Sequence, residues 1–229
     1  VVQMHMQTHA DPARYAYAGK VFRKQENDET RANEYMQVGY EVFDGQNPAA
    51  ADAEVFAVIA DALAGLPVRA ATGDIGILTA AVHGLRTSDA RKAALLRHIW
   101  RPNRFKSLLK RYAGGKVPAT RIALLASDDP FANAGPEIGL RSRAEVETRI
   151  AALRADAQEP PISGDEVLLI DAILDLRETT PNVLSHLRDI AVDMPAISDA
   201  VDRMAARLRR SVGRTNRRWD CKSTPHYSI

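Results

Sequence analysis

The amino-acid sequence predicts an α+β fold, and three observations lead to that prediction. Two runs rich in aromatic and β-branched residues, 15–24 and 34–43, flank a charged loop, which is the pattern of a long antiparallel hairpin. Residues 67–72 then read as one short strand. From Ser88 onward the apolar residues recur mainly at helical spacing. Strands that precede a run of helices are typical of the α+β class.

The second strand of the predicted hairpin carries different residue types on its two faces. Alternate residues of a strand share a face, so Gln37, Gly39 and Glu41 line one side. An amide and a carboxylate separated by a glycine leave room for a small ligand that bears an ammonium or imidazole group. The other face is predicted to be apolar and carries Met36, Val38, Tyr40 and Val42.

Arg23 lies at the end of the first predicted strand. Its guanidinium can donate two parallel hydrogen bonds, so Arg23 is a candidate contact for a phosphate or carboxylate. Spacing alone favours an ordinary hairpin with one solvated polar face, because such alternation is common in antiparallel sheets. The residues by themselves leave both interpretations open.

The first helices are predicted from their start and stop signals. Pro48 begins a helix that ends near Gly65, in the usual order of proline and glycine. The segment 73–76 is predicted to be a turn before a helix over 77–83, because it lacks the lysine and the spacing of a phosphate-binding loop. Four later helices are expected over 143–157, 165–177, 181–194 and 197–208.

Two basic helices are predicted between residues 88 and 112. Ser88 and Asp89 cap the first, whose apolar residues are Ala93, Leu96 and Trp100. Pro102 begins the second, which carries Phe105, Leu108, Leu109 and Tyr112. Their basic residues indicate either a solvated face or a docking surface for an acidic partner or phosphate ligand. These are Arg91, Lys92, Arg97, Arg101, Arg104, Lys106, Lys110 and Arg111.

Composition narrows the class of protein. The 229 residues are 45% hydrophobic and 26% charged, which is ordinary for a globular domain. No apolar run reaches the roughly 18 residues that span a bilayer, so no membrane association is predicted. The single cysteine, Cys221, cannot form an internal disulfide, which suits a cytoplasmic location.

The end of the chain is strongly basic, with seven Lys or Arg residues and one Asp between positions 207 and 222. Such a segment can neutralise phosphates of a nucleic acid, but it has few apolar residues at a helical or strand period and no aromatic platform. We therefore predict a disordered tail over residues 208–229, following a domain over 1–207, and we do not expect nucleic-acid binding.

No catalytic residue, metal site or cofactor is predicted. The histidines show no ligand spacing with cysteine or carboxylate, and His5 with His9 lacks the glutamate of a zinc-binding helix. Cys221 has no histidine partner that the sequence can place. Ser127, Asp128 and Asp129 are expected to form a helix end or turn.

The hairpin carries a resemblance to a known family. Phe22-Arg23, together with the segment 31–43 (RANEYMQVGYEVF), resembles motif 2 of class II aminoacyl-tRNA synthetases in its histidyl-tRNA synthetase version. The resemblance implies that Arg23 matches the arginine that holds the ATP α-phosphate. It also implies that Gln37 and Glu41 match residues that contact bound histidine.

Departures from the motif indicate a non-catalytic branch. Gln25 and Asn33 stand where a synthetase typically has a glutamate and a second arginine, and neither the later tyrosine-rich histidine motif nor motif 3 occurs. Activation of histidine is therefore not expected. The chain instead resembles the histidyl-tRNA synthetase-like regulatory subunits of ATP phosphoribosyltransferase. The segments 72–78 and 91–112 are similar to the proteobacterial members of that family.

The resemblance implies a class II synthetase-like antiparallel sheet with helices, cut at both ends. The hairpin 15–43 and the helical region 88–207 would belong to one partial domain. It further implies a regulatory subunit without chemistry of its own, forming a heteromultimer with a short catalytic subunit in the first step of histidine biosynthesis, with L-histidine as a candidate feedback ligand. The alternative is a fragment of a divergent histidyl-tRNA synthetase.

Overall fold

The structure is a computed structural model that describes residues 1–8, 10–24, 30–68, 70–132, 134–136, 138–215 and 226–227. It divides into two compact units, one with residues 1–72 and 201–226, the other with residues 73–200 and 227–229. In chain order the elements are α1 (Val2–Thr8), β1 (Ala13–Phe22), β2 (Glu34–Phe43), α2 (Pro48–Ala62), β3 (Ala71–Thr72), α3 (Ile75–Gly84), α4 (Asp89–Arg97), α5 (Pro102–Tyr112), α6 (Ala119–Ala126), α7 (Arg143–Gln158), α8 (Gly164–Asp175), α9 (Thr180–Asp193), a 3-10 turn (Pro195–Ile197), α10 (Ser198–Thr215) and β4 (His226–Tyr227).

The predicted α+β class is confirmed, because a small antiparallel sheet is accompanied by helices. Strands β1 and β2 pair in antiparallel register from Ala13 opposite Phe43 to Phe22 opposite Glu34. The ladder continues one step further, since the Arg23 backbone N–H donates to the Asn33 carbonyl at 2.8 Å. The hairpin is therefore regular up to its charged loop.

The two faces of the hairpin differ from the sequence prediction in their burial. The face with Gln37 and Glu41 is the half-buried one, whereas Met36 and Val38 on the predicted apolar face are 65% and 74% exposed. Helix α1 explains part of this difference. The His5 ring stacks on Phe43 at a centroid distance of 3.9 Å, and α1 thus covers one end of the face that carries the polar residues.

Helix α2 contacts the opposite, even-numbered face of the hairpin through Glu54, at the end that carries Arg14 and Tyr40. Asn47 caps the helix by accepting from the Ala50 N–H, and Pro48 occupies its first turn. Glu54 accepts both guanidinium bonds of Arg14, at 2.6 and 2.8 Å, and the Tyr40 hydroxyl at 2.7 Å. The carboxylate of Glu54 raises the pKa of the Arg14 guanidinium. The hydrogen bond to Glu54, together with burial, raises the pKa of Tyr40.

The second unit has its own apolar core. Ile77 and Leu78 of α3 are buried, and Asp74 caps that helix by accepting from the Gly76 N–H at 2.8 Å. In α5, Phe105 and Leu109 are fully buried, as the sequence predicted. Of the apolar residues expected on α4, Leu96 is half-buried, whereas Ala93 is exposed and so is Trp100, which lies beyond the end of the helix. The helix buries Leu95 and Arg91.

Glu166 is a buried carboxylate at the start of α8. It forms a capping box with Ser163 and accepts from the Arg86 backbone N–H at 2.8 Å. Burial alone would raise its pKa, but the hydrogen bonds from Arg86 and Ser163 outweigh it and lower the pKa of Glu166. The ionised carboxylate thus ties the start of α8 to the chain after α3.

Helix α10 crosses the boundary predicted at residue 207. The helix continues to Thr215, so residues 208–215, which the sequence assigned to a disordered tail, are helical. The segment contains Arg209, Arg210 and Arg214 and few apolar residues, so no helical period was recognised in it. Most of the remaining tail, including Cys221, lies outside the described residues.

No helix in the described part of the chain is long and apolar enough to cross a membrane. Within the same residues, no group of three or more His, Cys, Asp and Glu side chains is arranged to hold a metal ion.

Candidate functional site

The candidate site is the hairpin face that carries the odd-numbered residues of both strands. The register places Tyr15 opposite Glu41, Tyr17 opposite Gly39 and Gly19 opposite Gln37. Directly opposed residues of an antiparallel pair share a face, so two tyrosines accompany the predicted amide and carboxylate. We call this surface, with Tyr15, Tyr17, Gln37, Gly39, Glu41 and Phe43, the odd hairpin face.

Tyr17 lies across Gly39. A β-carbon built at Gly39 would stand 2.6 Å from the ring atom Cε1 of Tyr17, which is closer than real β-carbons approach. The expected open space between Gln37 and Glu41 is therefore wrong, because the Tyr17 ring occupies it. The glycine is needed to admit the ring of its cross-strand neighbour.

Gln37 is oriented by the same tyrosine. Its Nε2 donates to the Tyr17 hydroxyl at 3.1 Å, and Gln37 is half-buried. The amide oxygen makes no hydrogen bond within the described residues. Gln37 can therefore present a fixed acceptor to an N–H donor.

Glu41 is half-buried and makes no hydrogen bond or ion pair with any described residue. It lies four positions along the extended strand from Gln37, which corresponds to a Cα distance of about 13 Å. Tyr15 lies directly opposite Glu41, and the His5 ring, which is 3.3 Å from the Tyr15 hydroxyl through Nδ1, covers Phe43 next to it. A carboxylate among aromatic rings suits a cationic or imidazole-bearing ligand.

Arg23 follows the last residue of β1 and is exposed. Because the ladder continues through Arg23, strand alternation assigns it to the odd hairpin face, at the end away from Glu41. Asn33, one of the two departures from the synthetase motif, pairs with Arg23 through its backbone. Gln25, the other departure, lies outside the described residues.

Sequence reasoning missed Tyr17 and His5. The alternation of Tyr15 and Tyr17 was visible, but their position over the second strand depends on the register, which a long charged loop does not reveal. The contact between His5 and Phe43 joins α1 to the hairpin and has no local sequence signal.

Comparison with known proteins identifies the family of this chain. A family model described as histidyl-tRNA synthetase matches residues 1–153, which include the whole hairpin and helices α2 to α6. This chain belongs to the histidyl-tRNA synthetase family. Within that family model lie all three predicted site residues, Arg23, Gln37 and Glu41. The class II synthetase-like fold expected from the hairpin is consistent with this membership.

The chain is also similar to proteins named ATP phosphoribosyltransferase regulatory subunit. It is 36% identical to the one from Bacillus licheniformis over 104 residues, which are 44% of this chain and 26% of the relative. It is 38% identical to the one from Bacillus subtilis over 98 residues, 42% of this chain and 25% of the relative. The predicted resemblance to this branch is confirmed. The match spans about a quarter of the length of these relatives, and no solved structure matches the chain significantly.

Proposed function

We propose that this chain acts as a regulatory subunit of ATP phosphoribosyltransferase. In this role it has no chemistry of its own and assembles with a short catalytic subunit for the first step of histidine biosynthesis. The names of the two relatives support the proposal, since both are regulatory subunits of that enzyme. A cytoplasmic location is consistent with this function and stays a prediction.

We further propose that the odd hairpin face binds L-histidine for feedback sensing. One observation carries this proposal: Glu41 is a half-buried carboxylate without a partner among the described residues, on the same face as an oriented Gln37. Glu41 accepts from the ammonium or imidazole N–H groups of histidine, and the Gln37 amide oxygen accepts a second N–H. Tyr17 lies between these two residues, so its ring forms a wall of the site.

Arg23 has a separate role in the proposal. The planar guanidinium of Arg23 can donate two parallel hydrogen bonds to a phosphate or carboxylate. Arg23 is exposed at the end of the hairpin, so such a group can reach it. We propose that it contacts such a group of a ligand or of the catalytic subunit.

Calorimetric titration of L-histidine tests the histidine site. A charge-assisted hydrogen bond is worth about 1.5 to 3 kcal/mol, so we expect Glu41→Gln and Glu41→Ala to weaken histidine binding by about tenfold or more. Glu34→Gln is the matched control, because Glu34 lies on the same strand and pairs with Lys20 on the other face. Equal affinity for wild type and both Glu41 variants would remove Glu41 from the site.

Co-purification tests the regulatory function. A short ATP phosphoribosyltransferase chain should co-purify with this protein and be active only with it, and histidine should change that activity. A catalytic chain that neither binds this protein nor changes in rate would contradict the proposal. Histidine binding without any effect on the catalytic chain would leave the binding site intact and overturn the feedback role.

A second function, histidine activation by a divergent synthetase, is favoured by one finding, the family model described as histidyl-tRNA synthetase. The two functions differ in their need for ATP. We expect no histidine-dependent exchange of pyrophosphate into ATP, because loss of one contact to a developing charge commonly costs about 100-fold in rate and several such groups are missing. Exchange at a synthetase-like rate would favour the enzyme.

A further inference from the structure

The second unit contains a cleft that the proposed function does not use. It has a volume of about 520 Å³ and lies among the end of α5, helix α6 and helix α7. Ligand sites for small molecules are commonly about 300 to 1,000 Å³ in volume. Its lining residues all lie between positions 91 and 161, whereas the hairpin belongs to the first unit.

One wall of the cleft is apolar and accessible. Val117 and Ile122 line it and are 40% and 58% exposed, and Leu125 and Leu153 lie beside them. Helix α6, which supplies Ile122 and Leu125, has no buried residue. A ligand that covers these apolar side chains removes them from water, which lowers the free energy of the bound state.

Hydrogen bonds hold the frame of the cleft. The buried Arg91 donates to the Asp156 carboxylate at 2.6 Å and to the backbone carbonyls of Asp156 and Pro160, both at 2.7 Å. From α7, Arg154 donates to the carbonyls of Leu125 and Ser127. The walls are therefore tied together before any ligand binds, which reduces the ordering cost of binding.

Two arginines of the cleft are not used by this frame. Arg111 lies over the Tyr112 ring at 5.1 Å, and neither Arg111 nor Arg121 makes a hydrogen bond or ion pair with a described residue. Four arginines and two carboxylates line the cleft, and one of those carboxylates, Asp156, is already paired with Arg91. The cleft therefore has an excess of positive charge and ten guanidinium N–H donors on two unpaired side chains.

We propose that this cleft binds a small organic anion. The carboxylate or phosphate of the ligand accepts hydrogen bonds from Arg111 and Arg121, and its apolar body packs on Val117, Ile122 and Leu125. An anion without an apolar body would make only the hydrogen bonds to the two arginines. A neutral apolar molecule would make only the contacts with the apolar wall.

Three matched probes test this chemistry in the full chain. Phenyl phosphate carries both parts, inorganic phosphate only the anion, and phenol only the apolar body. Titration followed by two-dimensional NMR is expected to show phenyl phosphate binding about tenfold tighter than either of the others. The shifted resonances should lie in residues 111–126 and 153–159. Phenylacetate in a fourth titration distinguishes a carboxylate ligand from a phosphate ligand.

Substitutions in the cleft test which residues contact the ligand. We expect Arg111→Gln and Arg121→Gln each to weaken phenyl phosphate binding about tenfold, and Arg104→Gln, an exposed position of α5 outside the cleft, to leave it unchanged. Ile122→Ser should weaken phenyl phosphate binding but not inorganic phosphate binding. No binding at millimolar concentration, equal binding of the three probes, or equal losses at Arg104 and Arg111 would each overturn the proposal.

Discussion

The ring of Tyr17 lies across the backbone of Gly39, and its hydroxyl accepts a hydrogen bond from Gln37. Three residues of the odd hairpin face are thereby linked. The tyrosine fills the place that the sequence suggested for a ligand, and in doing so it orients one of the two residues that would hold that ligand. Position 39 controls the arrangement, because only a residue without a β-carbon admits the ring.

The first prediction concerns this ring. We expect Gly39→Ala to displace Tyr17, to break its hydrogen bond with Gln37 and to lower the free energy of unfolding by about 1 kcal/mol. Combining it with Tyr17→Ala should cost less than the sum of the single changes, since the clash is then gone. Urea denaturation of the four proteins measures this. Gly19→Ala is the control, because a β-carbon there meets no atom within 4 Å; strict additivity would contradict the contact.

The second prediction concerns Arg91, which is buried and makes three hydrogen bonds. Arg91→Ala leaves the Asp156 carboxylate unpaired and the Pro160 carbonyl without its donor, so we expect a loss of about 3 kcal/mol in the free energy of unfolding. Arg91→Lys should recover only part of it, because lysine lacks the planar fork. Arg97→Ala, exposed on the same helix, should change stability by less than about 0.5 kcal/mol. Similar losses at both positions would refute the buried role of Arg91.

The third prediction concerns acid stability. The pKa of Glu166 is lower in the folded chain than its ordinary value of 4.5, so the unfolded chain binds the proton more tightly. The contribution of Glu166 to stability is therefore present at neutral pH and is lost as the pH falls below about 4.5 and through the folded pKa. We expect Glu166→Gln to be less stable at pH 7 and to lose less further stability on acidification. Urea unfolding between pH 3 and 7 measures both slopes, with the exposed Asp165→Asn as the control. Parallel curves for wild type and Glu166→Gln would be evidence against this role.

The fourth prediction concerns the exposed apolar side of the hairpin. Phe22, Met36 and Val38 are all more than 60% exposed, and an uncovered apolar strand surface favours association. We expect Met36→Lys with Val38→Thr to reduce self-association in sedimentation velocity experiments while changing stability by less than about 0.5 kcal/mol. Ile138→Lys, which removes an exposed apolar residue elsewhere, should have no such effect. Association that responds equally to both changes would not involve the hairpin.

Local signals in the sequence predicted the elements well. The bounds of β2 agree with the predicted run, and Pro48, Ser88 and Pro102 stand at the starts of helices as expected. Caps and prolines act within a few residues, so their effect is visible without any tertiary information. Helix α6 was missed, because it is short, begins after a proline in a glycine-containing turn and buries no residue.

Burial was predicted less well, because it depends on distant neighbours. Arg91 was grouped with surface cations, yet its partners Asp156 and Pro160 are 65 and 69 positions away. The two hairpin faces were distinguished by residue type, whereas the half-buried face is the one next to His5 of α1. In the candidate site, alternation correctly grouped Gln37 and Glu41 on one face, but the ring over Gly39 follows from cross-strand register.

The hydrogen bonds of Arg91 also bear on how the length of this chain can vary. They close a loop of 65 residues, which includes α5, α6 and the connection between α6 and α7. The entropic cost of closing a loop rises with the logarithm of the loop length. Ten added residues would therefore raise that cost by only about 0.1 kcal/mol. Insertions or deletions between α6 and α7 therefore hardly change the free energy of forming the Arg91–Asp156 contact between α4 and α7. Chains of different length in this segment can keep the same framework.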